Sequence, residues 1–132
     1  MLDSSRVEAN IPASDLSRAR DFYADKLGLT PSQEYEGVAL MYRTTGGTSF
    51  NLYETEYAGL ARHTIAQWHV DDIEAEVNDL KTRGVDFQVF DMPGMEWEGE
   101  IASIPGMGRA AWFTDSAGNI MCIDQGEAPN QS

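Results

Sequence analysis

The run DSAGNIMCIDQ (115–125) holds the only cysteine of the chain, Cys122, with Asp124 two residues on. His63 and His69 are the only imidazoles, and Glu8 lies in the opening run RVEANIP. A thiol does chemistry as a thiolate. It needs a base or cation beside it to attack a substrate, or two or three further Cys, His or carboxylate donors to bind a metal. No local motif places a histidine next to Cys122. The reading that needs no further group is a small apolar filler of a cavity wall, with nucleophile and metal ligand as the alternatives. His69 and Glu8 form a candidate acid–base pair for proton transfer if one cavity holds both, and otherwise His69 is a pocket histidine that only hydrogen-bonds. His63 stands ahead of a strand-like run, in a segment expected to be exposed, and has no assigned role.

A second group of chemistry-bearing side chains lies in MPGMEWEGEIASIPGMG (92–108), where Met92, Met95, Trp97 and Met107 alternate with glycines, prolines and acids. Polarizable side chains on an irregular segment can fold over a planar aromatic ligand or seal a subunit contact, and both readings stand. Asp91, Glu96, Glu98 and Glu100 surround them and would attract a cation. The segment shows no strand or helix period, which suggests a functional or mobile loop. Glycine-rich phosphate cradles, paired-cysteine motifs and serine elbows are missing. TTGGTS (44–49) reads as a hairpin turn, so no nucleotide cofactor is expected.

The elements that must position these residues come as two similar units. Leu16, Ala19, Phe22, Tyr23 and Leu27 fall at helical spacing behind Ser14 and Asp15, with Gly28 as the stop. Ile73, Val77 and Leu80 share a second helical face, with Asp71 and Glu74 spaced as a capping box and Gly84 at the end. Each helix follows a strand-like run. Three more runs follow each helix: 32–36, 38–43 and 49–54 in the first half, and 86–90, 109–114 and 119–124 in the second. Each half therefore reads βαβββ, with 45–48 and 115–118 as hairpin connections. The expected fold class is α+β, one domain of two modules at about 6–56 and 63–126.

Bulk properties narrow the partners. A chain of 132 residues buries a core without staples. With 22 acidic against 9 basic residues the net charge is −13, which repels nucleic acid and anionic lipid and favours neutral or cationic ligands. The opening MLDSSRVEAN has no basic segment followed by an apolar one, and no stretch approaches the ~20 apolar residues of a membrane span. A cytoplasmic protein without membrane contact is expected.

The doubled βαβββ unit resembles the vicinal oxygen chelate superfamily, which includes glyoxalases, extradiol dioxygenases, fosfomycin-modifying enzymes and bleomycin-binding resistance proteins. The resemblance spans about Arg6 to Gln125. It is carried by IPASDLSRARDFYADKLGL, similar to the family's first strand and helix, and by GRAAWFTDSAGNIMCIDQ, similar to its closing hairpin. It implies a cupped mixed sheet with the helices outside and a ligand on the concave face. Strand alternation then sorts Glu8 and Asn10, Ser49, Asn51 and Tyr53, Ile65, Gln67 and His69, and Ile120, Cys122 and Asp124 to the cavity. Trp68, of opposite parity to His69, is expected in the core.

Metal-dependent members resemble one another in four His or Glu ligands. The resemblance puts those positions at Glu8, Asn51, Ile65 and Cys122. Ile65 cannot bind a metal and Asn51 offers only a neutral oxygen, while His69 lies about 13 Å further along its strand. The expectation is therefore a metal-independent protein that binds a flat apolar or cationic small molecule, of the antibiotic-sequestering kind. Its ligand contacts would come from Glu8, Asn10, Asn51, Tyr53, Gln67, His69, Trp97, Met107, Cys122 and Asp124. The alternatives are a glyoxalase-type lyase or isomerase, or a dioxygenase-like enzyme, with a relocated metal or the His69/Glu8 pair. A regulatory domain without a ligand is a third class. A homodimer is expected, as is common in the family.

Overall fold

The computed structural model describes residues 1–90, 92–106 and 108–126. The readings placed on Asp91 and Met107 lie outside the described residues. The chain runs as β1 (Ala9–Ala13), α1 (Leu16–Asp25), β2 (Gln33–Tyr35), β3 (Ala39–Arg43) and β4 (Ser49–Glu54). It continues as β5 (Thr64–His69), α2 (Ile73–Thr82), β6 (Phe87–Gln88), β7 (Glu96–Glu98), β8 (Ile101–Ile104), β9 (Gly108–Thr114) and β10 (Ile120–Gln125). This is the expected α+β class. The strands form two mixed sheets, ordered β1-β4-β3-β2 and β5-β10-β9-β8-β7, with β6 also pairing β9.

Helix α1 begins where the Asp15 carboxylate accepts from the Arg18 N–H at 3.1 Å. It ends where Gly28, at φ 72°, lets the Leu29 N–H return to the Tyr23 carbonyl at 2.8 Å. Its buried face is Leu16, Ala19 and Tyr23. The cap of α2 differs from the sequence reading: Asp72, not Asp71, accepts from the Ala75 N–H at 3.1 Å. The residue three positions after Asp72 is therefore Ala75, which cannot complete a capping box with Glu74. Adjacent aspartates offer two registers, and the burial of Ile73, Val77 and Leu80 selects one.

The segment read as an irregular loop contains a hairpin. Strands β7 and β8 pair Trp97 with Ala102 and Glu98 with Ile101, leaving Gly99 and Glu100 as a two-residue turn with Gly99 at φ 63°. Strands of three and four residues are too short for their alternation to stand out among glycines and prolines. The edge of β9 is thereby shared: β8 pairs with Gly108–Ala110, and β6 pairs with Trp112 and Phe113.

One core joins both halves. Helix α1 packs on β3 and β4, and α2 packs on β9 and β10. An aromatic chain crosses between the sheets: Tyr42 stacks on Phe50 at 4.8 Å, Phe50 meets Trp68 edge-on at 6.1 Å, and Trp68 meets Phe113 at 6.4 Å. Trp68 is thus packed against the core, as its parity predicts. Each such ring contributes on the order of 1.5–3 kcal/mol when fully buried. Among the described residues no helix is long and apolar enough to cross a membrane.

Candidate functional site

Strand register assembles the chemistry-bearing residues on the sheet faces turned away from the shared core. In the second sheet one cross-strand row runs Trp97, Ala102, Ala110, Asp124, His69 over β7, β8, β9, β10 and β5. The next row on that face is Gln88, Trp112, Cys122, Gln67. In the first sheet Asn10 stands beside Asn51, and Pro12 beside Tyr53.

Each sheet closes its own polar cluster. The Asn51 amide donates to Asn10 Oδ1 at 3.2 Å and to Glu8 Oε1 at 3.4 Å, while Arg6 pairs with Glu8 at 3.1 Å. In the second sheet Asp124, 9% exposed, accepts from Gln67 Nε2 at 3.0 Å through Oδ1, and the same oxygen lies 2.7 Å from His69 Nδ1. The partner of His69 is therefore Asp124, and the partners of Glu8 are Arg6 and Asn51. Glu8, just ahead of β1, and His69, at the end of β5, are not bonded to each other: their contacts are with different groups. His63 is exposed, with Nδ1 3.0 Å from the Thr64 carbonyl.

Cys122 sits between these groups at 3% exposure, its sulfur 3.6 Å from the Ile123 carbonyl. Burial, and then the charge of Asp124, push its thiol up to about 12, against the weaker opposing effect of a hydrogen bond from the Ala111 backbone. It is a protonated wall residue at neutral pH, neither thiolate ligand nor activated nucleophile.

Beside the polar end stands an aromatic wall. Trp112 lies 6.0 Å from Trp97 and 5.6 Å edge-on from Phe90, and its Nε1 donates to Thr64 Oγ1 at 3.2 Å. Sequence reasoning missed Trp112, Phe90 and Thr64. The alternation of GRAAWFT sets Trp112 opposite the buried Phe113, and the 115–118 turn sets it beside Cys122. That signal becomes usable once Phe113 is known to face the core.

Ile65 departs from strict alternation. Thr64 pairs with Ile120 and Ala66 with Met121, so Ile65 is the extra residue of a β-bulge, packed against the core instead of facing out with Gln67 and His69. The four positions that the resemblance marks for a metal thus hold a carboxylate bonded to Arg6, an amide whose nitrogen bonds Glu8 and Asn10 and whose oxygen is a neutral donor, a hydrocarbon and a protonated thiol. Among the described residues no group of three or more His, Cys, Asp or Glu is arranged to hold a metal ion. The donor set does not fit a divalent cation.

A sequence profile of the Glyoxalase/Bleomycin resistance protein/Dioxygenase superfamily matches residues 6–123. The chain belongs to this superfamily. Among solved structures this member is similar to TnmS3, an antibiotic binding protein from Streptomyces sp. CB03234, at 26% identity over 93% of this chain and 97% of that one, with a TM-score of 0.69. It shares its fold with the fosfomycin resistance protein FosX from Listeria monocytogenes, at 14% identity over 94% and 92% of the two chains, TM-score 0.68. The same holds for a lactoylglutathione lyase from Agrobacterium tumefaciens, at 19% identity over 92% and 94%, TM-score 0.65. Comparison with curated proteins returns no match.

Proposed function

We propose that this superfamily member is a metal-independent binding protein for a flat, largely apolar, neutral or cationic small molecule, held on the outer face of the second sheet. Antibiotic sequestration is the form this takes. The observation that carries the reading is the wall of Trp97, Trp112 and Phe90 on the same face as Asp124, with a protonated Cys122 between them. Stacked rings supply affinity for a planar body, the carboxylate end favours a cationic substituent, and the net charge of −13 hastens its capture. The similarity to an antibiotic binding protein supports the same reading.

Proflavine, a flat tricyclic cation, is a suitable probe. Its binding is expected to quench tryptophan fluorescence, to survive chelator, and to release the dye chemically unchanged by mass spectrometry. Trp97→Ala should weaken it by about 1–3 kcal/mol, the usual cost of removing a stacked aromatic anchor. A requirement for one equivalent of zinc, nickel, iron or manganese, or turnover of a bound molecule that vanishes in His69→Gln, would replace sequestration by catalysis.

A further inference from the structure

A cavity of about 590 Å³ lies on the helix side of the first sheet, where the first turns of α1 meet β2 and β3. Register turns charge toward it: Glu34 of β2 stands opposite the buried Leu40, and Leu40 opposite the buried Leu52, so Glu34 shares the face on which α1 packs. Arg20 of α1 pairs with Glu34 across the gap, and Asp15, Glu36 and Glu54 also line it. Four carboxylates against one guanidinium favour a cation. None of these residues belongs to the tryptophan wall or to the Asp124 cluster.

A buried hydroxyl adds a second demand. Tyr42, 2% exposed, lies two residues beyond Leu40 on the same face of β3, its ring stacked on Phe50 at 4.8 Å and 5.7 Å from that of Tyr23. A ring packed against two others cannot swing to seek a partner. Among the described residues nothing bonds its hydroxyl, and nothing bonds the buried Nε of Arg20. The charges of Arg20 and Glu34 both act on that hydroxyl, so it points toward the ion pair at the cavity wall. Burial pushes Tyr42 up to about 12, so it keeps its proton, and Arg20 Nε can only donate. Two donors thus lie unmatched beside the acids. An anion would satisfy the donors and be repelled by the carboxylates, and a plain amine would satisfy the carboxylates and leave the donors unmatched. A hydroxyl oxygen and an ammonium on one molecule answer both.

We propose that this cleft is a second binding site, for a hydroxylated amine of the amino-sugar class, whose hydroxyl oxygen accepts from Tyr42 and Arg20 Nε and whose ammonium pairs with Glu36 and Glu54. Arg20, with its side chain 42% exposed, can shift to admit it. Calorimetric titration of the full chain with glucosamine, N-acetylglucosamine and cyclohexylamine tests the site, since the second lacks the cation and the third lacks the hydroxyls. Glucosamine is expected to bind at least tenfold more tightly than either. Tyr42→Phe should erase its advantage over cyclohexylamine while the urea midpoint holds or rises, because the unpaired hydroxyl is gone. Glu36→Gln combined with Glu54→Gln should erase its advantage over N-acetylglucosamine. Glucosamine should also bind unchanged to Trp97→Ala and alongside saturating proflavine. No glucosamine binding, equal affinities for the three, a preference that survives Tyr42→Phe, a midpoint lowered by Tyr42→Phe, or competition with proflavine would each overturn the cleft site. The outer-face reading fails separately, on the proflavine titration and its loss in Trp97→Ala, and that failure leaves the cleft standing.

Discussion

Cys122 shows how far a single residue can be read before a structure exists. Its lack of a neighbouring base is visible in the sequence, and the structure adds the cause that keeps it inert: burial, with the charge of Asp124 beside it, holds the proton up to about 12 against an ordinary value of 9.0. Tyr42, lifted to about 12, and Tyr23, lifted well above 10.0, share the same first cause, burial; Asp115 adds to it at Tyr23, and Arg20 opposes it at Tyr42. All three hold their protons more tightly when folded. Their contribution to stability is complete below about pH 9 and is lost as the pH climbs toward 12. We expect the urea midpoint to fall steeply above pH 9, less steeply in Cys122→Ala, and the folded thiol to resist a disulfide reagent at pH 8 that labels the unfolded chain within minutes. Fast labelling of the folded protein would show a thiolate and reopen the nucleophile reading. By contrast, the partner of His69 was not legible. Alternation puts His69 and Asp124 on one face, but nothing local fixes the register of two strands fifty-odd residues apart.

At the scale of elements, the turn between β9 and β10 joins the modules. Asp115 Oδ1 accepts from the N–H groups of Ala117 and Asn119, and its Oδ2 accepts from Tyr23 of α1 at 2.8 Å and from the Asn119 amide at 3.0 Å. Asn119 also donates to the Pro12 carbonyl of β1 at 2.7 Å and accepts from the Gly59 N–H at 3.2 Å. Asn119→Ala leaves several buried groups unpaired at once, so a loss of about 3 kcal/mol in urea unfolding is expected. Gly59→Ala should act in the same direction, because a Cβ there would lie 2.2 Å from the Ala117 carbonyl at a φ of 76°. A cost under about half a kcal/mol in both would mean that this turn does not hold the modules. DSAGN is readable as a turn from composition, and its long-range bonds are not, since they depend on α1 and β1 arriving beside it. The bulge at Ile65 and the β7–β8 hairpin escape for a related reason: each is an exception of one or a few residues to a period that sequence reading assumes is regular.

At the scale of the whole molecule, the two sheets spend their apolar inner faces on one shared core and leave their outer faces turned away from it. On the first sheet that outer face carries the row Pro12, Tyr53, Ala39, Tyr35, with Tyr53 40% and Tyr35 47% exposed. An aromatic row of this kind, next to an edge of β1 that no described strand pairs, is a surface that a second copy would cover. We therefore expect a homodimer in sedimentation at tens of micromolar, the order at which a moderate interface is populated. Tyr53→Glu should raise its dissociation constant at least tenfold. The substituted carboxylate would have to be desolvated in a chain already at −13, while the exposed monomer surface would accept it at little cost. Added salt separates this from bulk charge repulsion: screening would strengthen association of both proteins alike if net charge governs the dimer, whereas the gap between wild type and Tyr53→Glu should persist at high salt if the aromatic row is buried. A wild-type monomer, or a Tyr53→Glu dimer of unchanged strength, would place the subunit contact elsewhere or remove it.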